Sequence, residues 1–194
     1  MLIHLINISL GAVLAENLLF AKFWGICPFL GSSGRLKPTL KQGAAAAYVM
    51  TLVSALTWLV WTYVLVPAGF EYFRTVAFIL IMMGVVQLTE RGLKRFAPRL
   101  HASLGIYLPA LTVNCAVLGM ALLSIAVYEY SFIEAVVYGF SAAVGLTLAS
   151  VLFSGVRERL EFIKCPNCLK GLPITLVSAG LIALAFMGFA GITL

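Results

Sequence analysis

Two cysteines stand in nearly identical short motifs in the two halves of this chain. Cys27–Gly31 reads CPFLG and Cys115–Gly119 reads CAVLG, so both follow the pattern C-x-x-L-G. Each motif lies in an apolar segment long enough to enter a membrane, and no other cysteine lies in such a segment. Thiolates are the ligands that soft metals and iron–sulfur clusters require. The repeated motif therefore predicts one buried site to which both halves contribute.

The thiols of Cys27 and Cys115 fit three chemical interpretations. Free cysteine is among the most buried residue types, so an inert pair in the core is one of them. A disulfide is the second, although it would have little structural purpose inside a membrane and redox compartment does not favour it. Metal ligation is the third, and it needs two further ligands from a second subunit, because an iron or zinc site takes four. Burying thiolate charge without a metal is costly, so an occupied site is the expected state.

The composition is that of a membrane protein. Of the 194 residues, 62% are hydrophobic and only 10% are charged, whereas a soluble domain has about 25% charged residues. Four apolar stretches exceed the roughly 20 residues that carry a helix across the hydrocarbon core, and two weaker stretches complete a set of six. The predicted transmembrane segments are Leu5–Leu30, Gln42–Phe70, Thr75–Thr89, Ala102–Tyr128, Ala135–Val156 and Gly171–Leu194.

Basic residues concentrate in three of the five predicted loops. All lysines and arginines except Lys22 and Arg74 lie in the stretches Arg35–Lys41, Arg91–Arg99 and Arg157–Lys170. Because loops rich in Lys and Arg stay cytoplasmic, this pattern predicts that both termini are periplasmic. The N-terminus lacks a basic region and a cleavage site, so we do not expect a signal peptide. The net charge of +6 thus reflects topology in a lipid bilayer, and no nucleic acid partner is expected.

The chain is predicted to be all-α and to form a single integral membrane domain over 1–194, built from inverted repeats of about 1–97 and 98–194. Three crossings per half place the second half upside down relative to the first. Gly25 and Pro28 surround one cysteine, and Pro109 and Gly119 surround the other, which predicts broken helices at both motifs. Packing glycines and prolines are the alternative explanation. A stand-alone transporter of a small solute is the rival class, but it gives the paired cysteines no role.

Several stretches resemble the family of A subunits of the Rnf complex, also called Rsx. The resemblance rests on GICPFLG at Gly25–Gly31, LPALTVNCAVLG at Leu108–Gly119, RERLE at Arg157–Glu161 and the ending at Gly171–Gly191, and it extends over essentially the whole chain. The homologous E subunit of the sodium-pumping NADH:quinone reductase is the nearest competitor. Pro28, Gly31 and the ending resemble the Rnf branch more than that one.

The resemblance implies a role in an ion-translocating ferredoxin:NAD oxidoreductase of the bacterial inner membrane, as a subunit that is not catalytic alone. It implies that Cys27 and Cys115, with two cysteines of a homologous E subunit of inverted topology, hold a [2Fe-2S] cluster within the membrane. Electrons would cross through this cluster between iron–sulfur and flavin centres of the other subunits, B, C, D and G, with coupled ion movement.

Polar residues near the motifs are candidates for secondary roles. Glu16, Asn17 and Lys22 interrupt the first apolar segment. Either they line an ion path, or Glu16 faces a partner helix and Lys22 lies where the chain breaks toward the cysteine motif. Thr112 and Asn114 precede Cys115 and are predicted to donate hydrogen bonds to cluster sulfurs, which would tune the reduction potential.

The remaining potential ligands favour less specific interpretations. Cys165 and Cys168 form a C-x-x-C in the last basic loop, where the family pattern has no cysteines. A closed site needs four ligands. We therefore interpret this pair as a peculiarity of this loop rather than as half of a zinc or iron–sulfur centre. His4 and His101 lie at segment ends without a second ligand at helical spacing, which is typical of interfacial polar residues.

Overall fold

The computed structural model of the protein describes residues 2–15, 17–25, 36–96, 114–126, 128, 130–160 and 171–188. These residues form helices and turns without a strand, which confirms the predicted all-α class for the described part of the chain. The helices are α1 (Leu2–Leu10), α2 (Leu36–Val60), α3 (Arg74–Phe96), α4 (Cys115–Ala126), α5 (Phe132–Leu160) and α6 (Leu172–Met187). A π-helical turn at Gly11–Ala15 extends α1, and another at Trp61–Leu65 extends α2 into a last turn at Val66–Ala68.

Three of the described helical stretches are long and apolar enough to cross a membrane. They are Thr39–Leu65, Arg74–Gly92 and Phe132–Leu160, and they coincide with the second, third and fifth predicted segments. Shorter apolar helices at Leu5–Leu14, Cys115–Ile125 and Pro173–Met187 lie in the other three predicted segments. The count of six crossings, the periplasmic termini and the division into repeats stay predictions.

Helices α2 and α5 pack against each other in antiparallel directions. Gly43, near the start of α2, lies directly against Thr147 in the second half of α5. Ser54, further along α2, donates its hydroxyl to the carbonyl oxygen of Ala135 near the start of α5, at 2.6 Å. Residue numbers thus rise along α2 while they fall along α5. Small residues at such crossings let two backbones approach closely, which is how helices associate in lipid.

Helix α5 is central to the described bundle. It contacts α1, the π-helical turn after α1, α2, α4 and α6. Its buried side is made mainly of small side chains, so several helices reach its backbone at once. The buried residues of α5 are Ala135, Tyr138, Gly139, Ser141, Ala142, Ala143, Gly145, Leu146, Ala149, Phe153 and Ser154.

The connection between α2 and α3 is a tight turn. Gly69 adopts a left-handed conformation with φ of 70°, which glycine does without steric cost, and its N–H bonds to the carbonyl oxygen of Val66 at 3.2 Å. Helix α3 then returns along α2, and the rings of Trp61 and Phe78 lie with their centroids 6.4 Å apart. The first turn of α2 and the last turns of α3 and α5 therefore lie at the same end of the bundle.

The two ends of the bundle differ in side-chain chemistry. The end formed by the start of α2 and the last turns of α3 and α5 carries Lys41, Lys94, Arg95, Arg157 and Arg159. The opposite end is rich in aromatic residues, which are favoured at membrane–water interfaces. These aromatic residues are Trp58, Tyr63, Phe70, Tyr72, Phe73, Tyr128, Tyr130 and Phe132. The structure thus places basic residues from all three basic stretches at one end of the bundle, and the orientation of that end in a membrane stays a prediction.

Large apolar side chains cover much of the outer surface. Leu80, Leu88, Leu181 and Leu184 are each more than 60% exposed. So many exposed large apolar side chains are unusual for a soluble monomer. Exposed apolar side chains cost free energy in water but not in hydrocarbon. This surface therefore fits the membrane class indicated by the composition.

Candidate functional site

The stretch of chain that leads to the first cysteine motif contacts the sulfur of Cys115 in the second motif. The backbone N–H of Gly25, two residues before Cys27, donates a hydrogen bond to Sγ of Cys115 at 3.0 Å. Cys27 itself lies outside the described residues. The two stretches are far apart in sequence, so this bond is a tertiary contact between the two halves of the chain. We call the group of residues around it, Trp24, Gly25, Asn114, Cys115 and Gly119, the motif junction.

The motif junction lies near the middle depth of the bundle. A Cβ atom on Gly25 would lie 3.3 Å from Cδ1 of Leu146 and 3.2 Å from Cβ of Ala116. Leu146 is the middle residue of the 29-residue helix α5. Helix α4 carries the chain away from Cys115 for 12 residues, about 18 Å at 1.5 Å per residue. A site here is remote from both ends of the longest helix.

Cys115 is the first residue of α4, and Asn114 caps that helix. Oδ1 of Asn114 accepts a hydrogen bond from the N–H of Ala116 at 3.0 Å, and its carbonyl oxygen accepts from the N–H of Val117 at 3.1 Å. The positive end of the helix dipole therefore lies at Cys115. Asn114 is 2% exposed. Its Oδ1 is used for capping, and its predicted donation to cluster sulfurs stays a prediction.

The glycine of the second motif provides the space for an indole ring. A Cβ atom on Gly119 would overlap the six-membered ring of Trp24, so any side chain at position 119 would displace that ring. The N–H of Trp24 bonds to the carbonyl oxygen of Leu18 at 2.8 Å, which fixes the backbone that carries the indole. Sequence patterns did not single out Trp24. It lies outside both cysteine motifs, and its partner is Gly119 in the other half of the chain.

Asn17 joins the end of the first helix to the middle of α5. Its side-chain amide donates to the carbonyl oxygens of Val13 at 3.1 Å and Gly145 at 2.9 Å, and its Oδ1 accepts from the N–H of Leu19 at 3.1 Å. The residue is completely buried. Because buried polar groups must be hydrogen-bonded, these contacts explain why an asparagine is tolerated here. They give Asn17 a structural role at the helix break.

The turn from 17 to 25 holds its shape through packing and an unusual backbone. Leu18, Leu19 and Phe20 are buried, and the ring of Phe20 lies 4.7 Å from that of Phe186 on α6, between centroids. Phe23 has a φ of 55°, in the left-handed region. A bulky residue there costs about 1–2 kcal/mol, which the surrounding contacts must offset. The strain lies two residues before the N–H that bonds to Cys115.

Lys22 extends toward the same junction. Its Nζ lies 5.6 Å from the ring centroid of Trp24, a distance that permits a cation–π interaction. Three other predicted site residues, Glu16, Cys27 and Thr112, lie outside the described residues. The same holds for His101, Cys165 and Cys168.

The described residues do not by themselves provide a complete metal site. Among them, no group of three or more His, Cys, Asp or Glu residues lies close enough together to hold an ion. Cys115 is exposed at the surface of the isolated chain. A four-ligand centre at Cys115 would therefore need ligands from beyond the described part of this chain.

Apolar helices of membrane-spanning length, an apolar outer surface and a thiol at middle depth define a multi-pass helical membrane protein. Residues 5–193 match the family described as Rnf-Nqr subunit, membrane protein. The chain belongs to this family.

Individual relatives match over nearly their whole length. The A subunit of the ion-translocating oxidoreductase complex of Syntrophotalea carbinolica is 48% identical over 189 residues, which is 97% of each chain. The A subunit of the Na(+)-translocating ferredoxin:NAD(+) oxidoreductase complex of Acetobacterium woodii is 48% identical over 190 residues, or 98% of each chain. The A subunit of the ion-translocating oxidoreductase complex of Azoarcus sp. is 48% identical over 184 residues, or 95% of each chain. These matches confirm the resemblance that the cysteine motifs indicated.

Proposed function

We propose that this chain carries electrons across the bacterial inner membrane as the A-type subunit of an ion-translocating ferredoxin:NAD oxidoreductase. It acts as part of a multisubunit enzyme and is not catalytic alone. The observation that carries the proposal is the 3.0 Å hydrogen bond from Gly25 N–H to Cys115 Sγ, which places the stretch that leads to the first cysteine motif against the thiol of the second. The names of the relatives, which describe ion-translocating oxidoreductase complexes, support the same function.

The thiol of Cys115 at the motif junction is suited to be one of the four ligands of a [2Fe-2S] cluster. Cys115 and Cys27 would hold it, with two cysteines of a partner subunit completing the four thiolates that such clusters take. Bound there, the cluster supplies a one-electron carrier within the membrane. The N–H of Gly25 and the positive end of α4 both favour negative charge on the Cys115 sulfur. The exposure of Cys115 in the isolated chain fits ligation from two sides.

The partner is a homologous E subunit of inverted topology that covers the exposed thiol. An inverted copy of the same fold would present its own pair of cysteines to this surface. Subunits B, C, D and G would supply the flavin and iron–sulfur centres on the two sides of the membrane. Ion movement would be coupled to electron passage through the shared site.

Iron binding tests this assignment directly. The chain expressed alone should bind no stoichiometric iron, because two thiolates do not complete a cluster. Co-expressed with the other subunits of its complex, it should yield one additional [2Fe-2S] signal in electron paramagnetic resonance (EPR) spectra, assignable to the membrane pair. A stoichiometric cluster in the isolated chain would contradict the shared site. A complete complex without that signal would refute the electron-carrying function and would favour a transporter or scaffold.

The proposed arrangement in the membrane has six crossings, with the basic end of the bundle in the cytoplasm. A periplasmic reporter fused after Leu194 should therefore be active, and a cytoplasm-specific reporter at the same point should be silent. A fusion truncated within the basic loop that follows α3, after Arg99, should show the reverse pattern. An active cytoplasmic reporter after Leu194 would contradict both the orientation and the inverted repeat.

A further inference from the structure

Lys22 is a charged residue in the first apolar segment, and its side chain has a specific place. Its ammonium group lies 5.6 Å from the ring centroid of Trp24, and the same ring lies against Gly119, one helical turn after Cys115. Among the described residues, no carboxylate forms an ion pair with Lys22. Its positive charge is therefore directed to the motif junction and is not neutralised by the described part of the chain.

Trp24 is held rigidly enough to fix this charge. Its backbone N–H bonds to Leu18, which is 1% exposed, and the next residue, Gly25, bonds to the sulfur of Cys115. The ring has no room to move toward α4, because Gly119 leaves space only for a hydrogen. A cation over an aromatic face is attracted to it, and more strongly where water is excluded.

We propose that Lys22, positioned by Trp24, supplies a fixed positive charge that raises the reduction potential of the thiolate-held centre. The inference rests on the proposed function. A centre with four thiolate ligands is negatively charged, and reduction adds one electron without forming or breaking a bond. A nearby ammonium favours the more negative state, and inside a membrane this attraction is weakly screened. Lys22 is then a positioning residue for electron acceptance, and no ion passes through it.

The test is a redox titration of the purified complete complex, followed by EPR. The relevant signal is the one that disappears in the Cys115→Ser complex. Lys22→Gln should lower its midpoint potential, with about a tenfold change in the reduction equilibrium, which is about 59 mV for a one-electron couple. Lys22→Met should give the same shift, and Lys22→Arg, which keeps the charge and the contact with the ring, should restore the wild-type potential.

Two further variants separate this inference from general effects. Lys94→Gln makes the same change at the exposed end of α3, where Lys94 pairs with Glu90, and should leave the potential unchanged. Trp24→Leu should lower the potential in the same direction as Lys22→Gln, because the lysine loses its aromatic support. An unchanged potential in Lys22→Gln and Lys22→Met, with the cluster fully present, would overturn the inference. If ion transport alone failed in those variants, Lys22 would belong to an ion path instead. Absence of the signal from the wild-type complex would refute the proposed function itself.

Discussion

Replacing Cys115 with serine is expected to remove the intramembrane EPR signal and to abolish ferredoxin-dependent NAD reduction in membrane vesicles. A hydroxyl is a poor ligand for iron compared with a thiolate, and the site has no spare ligand because each partner contributes two. The backbone of α4 should be retained, since serine is nearly the same size and Asn114 still caps the helix. The complex should therefore assemble in normal amount while electron transfer falls below detection. Cys27→Ser should behave in the same way.

The loop cysteines provide the matched control. Cys165→Ser and Cys168→Ser make the same chemical change in a basic loop. The proposed topology places this loop in the cytoplasm, where reducing conditions would keep its thiols free. Both variants should keep normal activity and a normal intramembrane signal. Full activity in Cys115→Ser would refute the cluster ligation. Lost activity in Cys165→Ser with an intact signal would identify a second redox centre in that loop.

Alanine at Gly25 is expected to damage the motif junction without touching a ligand. Gly25 has a φ of 95°, so an alanine there is strained by about 1–2 kcal/mol. Its Cβ would also press on Cβ of Ala116 at 3.2 Å and Cδ1 of Leu146 at 3.3 Å. Because both neighbours are buried, the backbone must shift and the bond to the Cys115 sulfur must lengthen. We expect a lower thermal unfolding temperature of the complex in detergent and loss of most of the intramembrane signal.

A matched substitution at Gly171, which precedes α6, distinguishes the effect of backbone strain from that of the Cβ collision. Gly171 has the same φ of 95°, but a Cβ atom there would meet no described residue within 4 Å. Gly171→Ala therefore carries the backbone strain without the collision, and it should lower the unfolding temperature slightly and keep the signal. Equal losses in both variants would show that backbone strain alone matters, and that contact with Ala116 and Leu146 does not position the site.

The apolar pattern predicted the helices that cross the membrane better than it predicted their ends. The third segment was expected over Thr75–Thr89, yet α3 continues to Phe96. The added turns are charged, and Lys94 pairs with Glu90 at 2.7 Å along the same face of the helix. Hydropathy falls where a helix leaves the hydrocarbon, whereas backbone hydrogen bonding continues in water wherever the side chains support it. The apolar stretch in the sequence therefore gave too short a length for this helix.

The motif junction could be predicted only in part, because its contacts join residues that are distant in sequence. Repetition of C-x-x-L-G predicted a shared site, and Pro and Gly predicted interrupted helices. Helix α4 begins at Cys115, but Pro109 lies outside the described residues, so the break at the second motif stays a prediction. The contact of Trp24 with Gly119 and the bond from Asn17 to Gly145 were not foreseen. Both join residues distant in sequence, and local periodicity contains no information about which distant partner a buried group will meet. The ligand role of Cys27 and Cys115 stays a prediction.

The two ends of the turn from 17 to 25 reach adjacent residues of α5, with Asn17 bonded to Gly145 and Gly25 beside Leu146. From the middle of this 29-residue helix the distance to either end is about 21 Å. Tunnelling rates fall exponentially with distance. A single electron carrier therefore reduces the time of a membrane crossing most when it lies halfway along the path. The continuous helix α5 sets the depth of the motif junction. Stretching or thinning of the surrounding lipid would therefore leave the distances from the junction to the two ends of α5 equal.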